Sequence, residues 1–349
     1  MKLLVTGGAG FIGCNAAARF LGAGHSVTVF DDLSRPGGAA NLRWLKSHGA
    51  FKLVRGDIRS RAQVQRALKG VKGLSAVLHF AGQVAVTSSV RDPRHDFEVN
   101  ALGTFNVLEA LRLANQARRG AAKAALIYAS TNKVYGGMSG IKVQLRQGRY
   151  QYRDYPQGIP EAYGLDFHSP YGCSKGAADQ YVHDYGRIYG FPTVVFRQSC
   201  IYGYRQFGVE DQGWVAWFTI AAELGLPITL YGNGRQVRDV LFIDDLVDAY
   251  ALALKRIKKA AGGVYNIGGG QRHQLSLLEL CRQLEGLTGR RLVKRFGPWR
   301  PGDQPVFVCD ISKARRELGW KPKVGVTEGV GKLHAWVREN RALFARAGR

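Results

Sequence analysis

The chain has 349 residues, of which 46% are hydrophobic, 11% aromatic and 22% charged, and its 50 Lys and Arg against 26 Asp and Glu give a formal net charge of +24. This composition is that of a globular protein with a large core, and it excludes a disordered chain, collagen and a coiled coil. At roughly 100–200 residues per domain, two domains are expected.

Cysteine usage and the distribution of charge narrow the class of protein further. The five Cys residues, at positions 14, 173, 200, 281 and 309, form no Cys-x-x-Cys pair, and no cluster of His, Cys and carboxylates has metal-ligand spacing. We therefore expect a reducing compartment, without a disulfide framework or a metal site. The basic residues are spread in short clusters such as Lys255-Arg256. This pattern favours a solvated basic surface over a specific nucleic-acid site.

The amino-terminal residues and the hydropathy pattern bear on location. Met1 and Lys2 lead directly into an apolar strand pattern, without the charged and apolar regions of a signal peptide. No apolar run reaches the ~18 residues that a membrane-spanning helix needs. We expect a cytoplasmic protein without a membrane partner.

In the first part of the chain, apolar strand patterns alternate with helical patterns. The predicted strands are Lys2–Val5, His25–Phe30, Phe51–Arg55, Ala76–Phe80, Ala125–Tyr128 and Thr193–Phe196. The predicted helices are Ile12–Leu21, Arg61–Leu68, Phe97–Leu113 and Tyr171–Tyr189. This alternation indicates βαβ units with right-handed crossovers, and continuous apolar runs suit parallel strands buried on both faces. The prediction is an α/β fold with a doubly wound parallel sheet.

The later part of the chain is mixed, with helices at Val215–Leu224, Ile243–Lys255 and Leu275–Gly286 and a strand at Ile228–Tyr231. Before it, residues 137–169 form an insertion that is long for a connection in a compact domain. The insertion either covers a ligand, contacts a second subunit or packs on its own tyrosines. We expect a main domain of residues 1–196, to which segment 233–262 returns, and a smaller mixed α/β domain of residues 197–232 and 263–349.

A glycine-rich sequence follows the first strand and begins the first helix: Thr6-Gly7-Gly8-Ala9-Gly10-Phe11-Ile12-Gly13. Glycines there allow a tight turn and let the backbone approach a pyrophosphate at the helix amino terminus. The second strand ends at Asp31-Asp32, the spacing expected for a carboxylate that holds an adenosine ribose. A carboxylate repels a 2′-phosphate, so the pattern favours NAD over NADP, although Arg35 lies nearby. We expect a Rossmann-type dinucleotide site.

A second pattern places Tyr171 four residues before Lys175 on a predicted helix. Residues at this spacing share one helix face, and a neighbouring cation favours the phenolate of a tyrosine. Ser130-Thr131 ends a predicted parallel strand, where open α/β sheets bind their ligands. The three features together predict a catalytic site. His79, which ends another apolar strand, is expected to be a packed structural residue.

With these motifs, the chain resembles the nucleotide-sugar epimerases of the extended short-chain dehydrogenase/reductase family. Further matching strings are Gly56-Asp57-Ile58, His79-Phe80-Ala81-Gly82, Asn100-Ala101-Leu102-Gly103-Thr104 and Tyr202-Gly203. The resemblance implies that Tyr171 is the base, that Lys175 binds ribose and lowers the pKa of the phenol, and that Thr131 is the hydroxyl partner. It also implies that NAD is bound by Gly7, Gly10, Phe11, Ile12, Gly13, Asp31, Asp32, Ser34, Arg35, Asp57, Ile58, Phe80, Ala81, Gly82, Gln83, Asn100, Tyr171 and Lys175.

Finer strings distinguish the reactions within this family. Thr131 is followed by Asn132-Lys133 and not by the acidic pair of dehydratases, and Cys200 replaces the Asn of common 4-epimerases. The strings 130–136, 165–181 and 205–215 resemble epimerases that invert C2 of CDP-paratose to CDP-tyvelose through a 2-keto sugar. The alternatives are an epimerase of a UDP-, GDP- or dTDP-sugar, and a non-catalytic NAD-binding or RNA-binding relative.

The resemblance also implies how the substrate is held and how the chain assembles. Arg238 and Arg300 suit a diphosphate, since guanidinium groups bind phosphate oxygens in pairs. The full set expected at the CDP-linked deoxyhexose is Gln83, Thr131, Asn132, Lys133, Arg205, Gln206, Gln212, Val215, Tyr231, Arg238, Arg300 and Asp303. Arg205 is equally compatible with a surface position. Helices Phe97–Leu113 and Tyr171–Tyr189 are expected to pair across a homodimer or homotetramer interface.

Overall fold

A computed structural model describes residues 1–118, 122–300 and 303–344. The strands are β1 (Lys2–Thr6), β2 (Ser26–Asp31), β3 (Lys52–Arg55), β4 (Ala76–His79), β5 (Ala125–Thr131), β6 (Val143–Arg146), β7 (Arg149–Tyr152), β8 (Thr193–Gln198), β9 (Cys200–Tyr202), β10 (Ile228–Tyr231), β11 (Val237–Phe242), β12 (Gly263–Ile267), β13 (Gln274–Ser276), β14 (Lys294–Gly297) and β15 (Val306–Phe307).

The α-helices are α1 (Phe11–Gly22), α2 (Gly38–Lys46), α3 (Arg61–Lys69), α4 (Val86–Arg91), α5 (Pro93–Phe97), α6 (Gly103–Gln116), α7 (Ser169–Tyr189), α8 (Trp214–Leu224), α9 (Ile243–Lys255), α10 (Ile257–Ala260), α11 (Leu277–Thr288), α12 (Ser312–Leu318) and α13 (Val326–Glu339). Short 3-10 turns cover Asn132–Tyr135, Gly270–Arg272 and Arg341–Phe344, and a π-helical segment, Glu98–Leu102, joins α5 to α6.

Seven strands form a parallel sheet in the order β12-β8-β5-β4-β1-β2-β3. In its register, Thr6 pairs with Phe30 of β2 on one side and with His79 of β4 on the other. The chain moves outward from β1 to β3 and then resumes at β4, on the opposite side of β1. The carboxyl ends of β1 and β4 therefore flank the crevice where open α/β sheets bind ligands. This topology confirms the predicted Rossmann-type α/β fold.

Helices cover both faces of this sheet. Leu4 of β1 packs into a core with α3, α6 and α7, whereas its neighbours Leu3 and Val5 enter the core that includes α1 and α9. Successive side chains of a strand point to opposite faces, so a strand covered on both sides needs apolar residues throughout. This requirement explains the continuous apolar runs of the sequence.

The remaining strands form smaller sheets. β11 lies at the centre of one, with β9 and β15 parallel to it and β13 antiparallel. β10 pairs in parallel with β14. The segment expected to return to the main domain contains α9, which packs against α1, and the strand that follows it, β12, joins the main sheet. The domain boundaries themselves stay a prediction.

Two regions differ from the simplest expectation. The long helix predicted over Phe97–Leu113 is divided by the π-helical segment Glu98–Leu102, a type of turn that is frequent at functional sites. The insertion contains the hairpin β6–β7, which packs on the small sheet and not only on its own tyrosines. Within it, the Tyr150 amide donates to the carbonyl of Arg235, and the Tyr152 hydroxyl donates to that of Val306.

A buried ion pair joins α7 to the main sheet. Arg197 of β8 donates from Nε and Nη2 to the two carboxylate oxygens of Asp179, at 3.1 and 3.0 Å. Ser130 Oγ of β5 donates to the same carboxylate at 2.6 Å. The third guanidinium nitrogen donates to the Tyr135 hydroxyl at 3.2 Å. Both charges are thus fully hydrogen-bonded, as burial of an ion pair requires.

We expect the substitution Asp179→Ala to lower the free energy of unfolding by about 3–5 kcal/mol, because it leaves the buried Arg197 without a counter-charge. Urea denaturation followed by circular dichroism, at fixed protein concentration, measures this loss. Asp184→Ala on the same helix is the matched control, since the Asp184–Arg187 pair is exposed and its removal should cost less than about 1 kcal/mol. Equal losses in the two variants would contradict the prediction.

Candidate active site

The structure brings the three predicted catalytic side chains together. Tyr171 and Lys175 lie one turn apart on α7, Thr131 ends β5, and all three are buried. The Thr131 side chain lies close enough to the Tyr171 phenol to lower its pKa, while the Thr131 hydroxyl donates to Asn132 Oδ1 at 3.3 Å. Lys175 Nζ donates to the carbonyl of Ala129 at 2.6 Å and lies 4.2 Å from the centre of the Tyr128 ring. These contacts fix the ammonium at the carboxyl edge of the sheet, against β5.

Burial governs the proton affinity of both groups. It raises the pKa of Tyr171 to about 12, against the opposing effect of the nearby Thr131 side chain. It lowers the pKa of Lys175 to about 7, although the carboxylates of Asp179 and Asp96 oppose that change. The lowering of the phenol pKa that Lys175 was expected to cause is therefore not present in the chain alone. Tyr171 needs a further positive charge nearby to act as a base at neutral pH.

The glycine-rich loop between β1 and α1 has the close backbone approach that a dinucleotide requires. Gly7 has a φ of +66°, and a Cβ there would lie 2.6 Å from the amide nitrogen of Ala81. A Cβ on Gly13 would collide with the carbonyl oxygen of Gly7. α1 begins at Phe11 after Gly10, which has no side chain to cap the helix. The first N–H groups of α1, including that of Ile12, are therefore the ones placed to meet an anion.

The carboxylates after β2 lie against this loop. Asp31 is buried, and its Oδ2 accepts a hydrogen bond from the amide of Ala9 at 2.9 Å. Asp32 is exposed and accepts one from Ser34 Oγ at 2.7 Å. Arg35, expected at the cofactor, donates to Gln212, expected at the sugar nucleotide, at 2.9 Å. The two sets of predicted residues thus meet at this contact.

Asp57 and Ile58, two more of the predicted cofactor residues, follow β3, the strand at one end of the main sheet. Asp57 is held by Arg59, whose Nε donates to its carboxylate at 2.8 Å. Ile58 is buried against Gly103, where a Cβ would lie 2.6 Å from the isoleucine side chain. The absence of a side chain at Gly103 lets α6 approach the loop after β3.

The segment after β4 places backbone beside Lys175. A Cβ on Gly82 would lie 3.0 Å from Asn100 Oδ1 and 4.0 Å from Lys175 Nζ. Phe80, one position before Ala81, packs edge-on against the ring of Tyr250. The predicted cofactor residues of this segment therefore border Lys175.

His79 is the centre of a directional chain of hydrogen bonds beneath the glycine-rich loop. The Ala81 amide donates to Thr6 Oγ1, which lies 2.6 Å from His79 Nδ1. On the other side, His79 Nε2 lies 3.0 Å from Thr104 Oγ1, whose hydroxyl donates to the carbonyl of Asn100. Because that hydroxyl is already a donor, Nε2 carries the ring proton. Burial lowers the pKa of His79 to about 3, in keeping with the structural role expected for it.

The expected phosphate ligands lie on and around the small sheet. Arg238 of β11 donates to the carboxylate of Asp303. Arg300 lies 3.9 Å from the centre of the Tyr231 ring and donates to Asp211 at 3.0 Å. Burial lowers the pKa of Lys133, and Arg238 lowers it further. Three cationic side chains thus border this region, as a diphosphate would require.

The other predicted substrate residues lie in different surroundings. Asn132 follows Thr131 and accepts its hydroxyl hydrogen bond at 3.3 Å, whereas Gln206 and Val215 are buried. The guanidinium of Arg205 lies over the rings of Trp44 and Trp336, at 4.8 and 5.6 Å, a placement that favours the packing interpretation of this residue.

Two features of this region were not found by sequence reasoning. Asp96 is fully buried and close enough to influence both Lys175 and Tyr171, and the Tyr128 ring lies against the ammonium. No sequence motif marks an aspartate that reaches α7 from a different helix. Tyr128 was assigned to a strand, and only the packing of that strand against α7 reveals its contact.

Two classes of feature are absent from the described ranges. No helix there is long and apolar enough to cross a membrane. Nor does that part of the chain bring three or more His, Cys, Asp or Glu side chains together in a way that could hold a metal ion.

Known proteins share this arrangement over nearly the whole chain. The chain is 47% identical to a CDP-paratose 2-epimerase of Salmonella typhi, over 96% of this chain and 99% of that protein. A UDP-glucose 4-epimerase of Thermus thermophilus, solved with NAD, matches with a TM-score of 0.79 and 32% identity, over 97% and 100% of the two chains. The dTDP-glucose 4,6-dehydratase DesIV of Streptomyces venezuelae matches with a TM-score of 0.82 and 30% identity, over 98% of each.

The family model for GDP-mannose 4,6 dehydratase matches residues 4–333. With this match and these relatives, the chain belongs to the nucleotide-sugar epimerase and dehydratase family of extended short-chain dehydrogenases/reductases, a family of enzymes.

Proposed function

We propose that this chain is an NAD-dependent epimerase that inverts C2 of CDP-paratose to give CDP-tyvelose. The observation that carries the proposal is the buried group of Thr131, Tyr171 and Lys175 at the carboxyl edge of the parallel sheet, next to a glycine-rich loop. The relative named CDP-paratose 2-epimerase, with 47% identity over 96% of this chain, supports the choice of sugar nucleotide.

The residues of the loop region fit NAD. Gly7 and Gly13 leave no room for a Cβ, and the first N–H groups of α1 suit a pyrophosphate. The buried Asp31, fixed by the amide of Ala9, suits a ribose hydroxyl and disfavours a 2′-phosphate. The surroundings of Tyr171 also need a positive charge, and the nicotinamide ring of NAD carries one. We propose that the cofactor residues predicted from the sequence hold this group, with the side chain of Gln83 fixing the loop that contains Gly82.

When bound, NAD supplies the acceptor and donor of the hydride that leaves and returns at C2. Tyr171 takes the proton of the C2 hydroxyl on its Oη and returns it once the configuration at C2 is inverted. Thr131, whose side chain lies close to the phenol, hydrogen-bonds the C2 oxygen of the substrate. Lys175, fixed by the carbonyl of Ala129, holds positive charge beside the segment that contains Gly82.

Diphosphate binding is assigned to Arg238 and Arg300. Each guanidinium is paired with a carboxylate of the chain, Asp303 and Asp211 respectively, so a diphosphate shares or displaces these partners. The Arg300 guanidinium packs against the ring of Tyr231, and this contact restricts its position. We assign substrate binding to the small domain predicted from the sequence, without β12, which joins the main sheet.

An elimination of water is disfavoured by the residues after Thr131. A dehydratase needs a carboxyl group there as a general acid, whereas this chain has the amide of Asn132 and the ammonium of Lys133. The relatives nevertheless include 4,6-dehydratases, so the reaction class needs its own test.

We also propose that the chain self-associates through α6 and α7. The two helices pack side by side, with the rings of Phe105 and Tyr181 5.8 Å apart. Large apolar side chains are exposed on both helices, at Phe105, Leu113, Tyr181 and Ile188, and just before α6, at Phe97 and Leu102. Exposed apolar side chains grouped on neighbouring elements are typical of a protein–protein interface. Pairing with the same helices of a second copy gives a dimer, as expected from the family resemblance.

The first experiment is proton NMR of CDP-paratose with the purified protein and no added NAD. We expect the H1–H2 coupling to change to that of a manno-configured sugar, because the proposed reaction regenerates its cofactor and needs none from solution. Inversion at another carbon would overturn the C2 assignment, and turnover of a UDP-, GDP- or dTDP-sugar alone would overturn the substrate. No turnover of any of these nucleotide sugars, with NAD added, would contradict the proposal that the chain is an epimerase.

We expect Tyr171→Phe to lower kcat by about 10²–10⁴-fold, because it removes only the hydroxyl that moves the proton. The same NMR assay measures the rate, and the absorbance of the purified protein checks that the cofactor is retained. Tyr189→Phe is the matched control on the same helix, since its exposed ring contacts Arg112 and Tyr185 away from the site. Near-normal turnover by Tyr171→Phe would contradict the role of the phenol.

For the assembly, we expect Ile188→Glu to convert an oligomer into monomers, because it places a charge among the exposed apolar side chains of α6 and α7. Sedimentation velocity at several protein concentrations measures the change. Phe296→Glu, at an equally exposed apolar position on β14, should leave the oligomer intact. A monomeric wild-type protein, or an oligomer that tolerates Ile188→Glu, would refute the proposed interface.

A further inference from the structure

Asp96 is a buried carboxylate to which the proposed reaction assigns no role. It lies on α5, and its side chain accepts hydrogen bonds from three residues. Gln83 Nε2 donates to its Oδ1 at 3.0 Å and Asn100 Nδ2 donates to the same oxygen at 3.1 Å, while Ser174 Oγ donates to Oδ2. Two of these donors are amide nitrogens, which can only donate hydrogen bonds and cannot accept a proton from the carboxyl group. The arrangement therefore matches the ionised carboxylate.

The three partners of Asp96 come from three parts of the site. Ser174 lies on α7 between Tyr171 and Lys175. Asn100 lies in the π-helical segment, and its Oδ1 accepts from the backbone amide of Gln83 at 2.9 Å. The wide turn of that segment lets the Asn100 side chain reach both Gln83 and Asp96.

The amide of Gln83 is fully engaged in this network. Besides its bond to Asp96, its Nε2 donates to the carbonyl of Ala85 at 2.7 Å, and its Oε1 accepts from the amide of Ala85. Gln83 therefore uses its whole side chain to fix the segment after β4, which includes Gly82 beside Lys175. The carboxylate of Asp96 is the common acceptor that ties this segment to α7.

We propose that Asp96 is a positioning residue of the reaction: its carboxylate locks the loop of Gly82 and Gln83 to the helix of Tyr171 and Lys175, and supplies the fixed negative charge that faces them. This inference rests on the proposed function for its catalytic consequence. Its electrostatic part concerns the chain itself and is tested separately.

The charged and titratable groups around the catalytic pair determine the sign of the effect. Lys175 faces Asp96 from α5, Asp179 from its own helix, Tyr128 from β5 and His79 from β4. Tyr171 faces Thr131, Asp96 and Tyr128, and His95 acts on Asp96 from its own helix. Loss of the Asp96 charge lowers the pKa of Lys175, because an ammonium loses an attractive partner. It also lowers the pKa of Tyr171, because a phenolate loses a repulsive one.

The test compares Asp96→Asn with Asp92→Asn. Asp92 is an exposed residue that caps the same helix by accepting from the amide of His95, and Asn preserves such a cap. In the assembled protein with its cofactor, we expect Asp96→Asn to lower kcat roughly ten- to a hundredfold and to move both limbs of the pH–rate profile to lower pH. Asp92→Asn should leave both unchanged. A fall in kcat with an unmoved profile would reduce Asp96 to a structural residue and overturn the proposal.

A second measurement does not depend on turnover. Protein labelled with 13C at lysine Cε, with the signal of Lys175 assigned through Lys175→Arg, reports the titration of the ammonium by NMR. We expect a lower titration midpoint in Asp96→Asn than in the wild type and in Asp92→Asn. Asp96→Ser, which removes the charge in a smaller side chain, replaces Asp96→Asn if thermal melting shows that the latter does not fold.

The two experiments separate the inference from the function. A wild-type protein that inverts no nucleotide sugar overturns the proposed function, while the NMR titration still decides whether Asp96 sets the charge of Lys175. An unchanged midpoint in the charge-free variant overturns the inference, whether or not the wild type is an epimerase.

Discussion

The bidentate pair of Asp179 and Arg197 is the contact on which the active site depends. It attaches α7 to β8, and through Ser130 it attaches the same helix to β5, the strand that ends in Thr131. Lys175 lies one turn before Asp179 on that helix, so the charge pair fixes the position of the phenol of Tyr171 and the ammonium of Lys175 relative to the end of β5. A buried pair of this type gains little net stability over apolar packing, but its fixed geometry admits only one register of helix on sheet.

The charges around Lys175 differ in sign from the net charge of the chain. The chain carries a net charge of +24, yet the groups around Lys175 are two buried carboxylates. Burial lowers the pKa of this lysine to about 7, and the carboxylates of Asp179 and Asp96 oppose that change. The excess of basic residues on the rest of the chain contributes little at this depth, because solvent screens exposed charges. The site thus has an electrostatic balance of its own, independent of the surface.

The sequence was informative wherever chemistry depends on neighbours along the chain. The glycine-rich loop, Asp31, the four-residue spacing of Tyr171 and Lys175, and the order of strands and helices were all predicted, because each follows from local geometry. Asp96 was missed because its partner Ser174 is 78 positions away and no periodicity links them. The contact of the Arg205 guanidinium with the rings of Trp44 and Trp336 was not predicted for the same reason. The packing of the hairpin β6–β7 on the small sheet likewise depends on strands that lie far along the chain from it.

The hydrogen-bond chain through His79 has one further implication. Each hydroxyl in it donates one hydrogen bond and accepts one. All the hydrogen bonds therefore point the same way, from the Ala81 amide to the Asn100 carbonyl. A ring with a pKa of about 3 does not titrate in this frame at any pH where Lys175 changes charge. The joint between β1, β4 and α6, which supports the glycine-rich loop, therefore keeps this pattern of hydrogen bonds while Lys175 changes charge. The ring of His79 and the ammonium of Lys175 thus change charge in separate ranges of pH, near 3 and near 7.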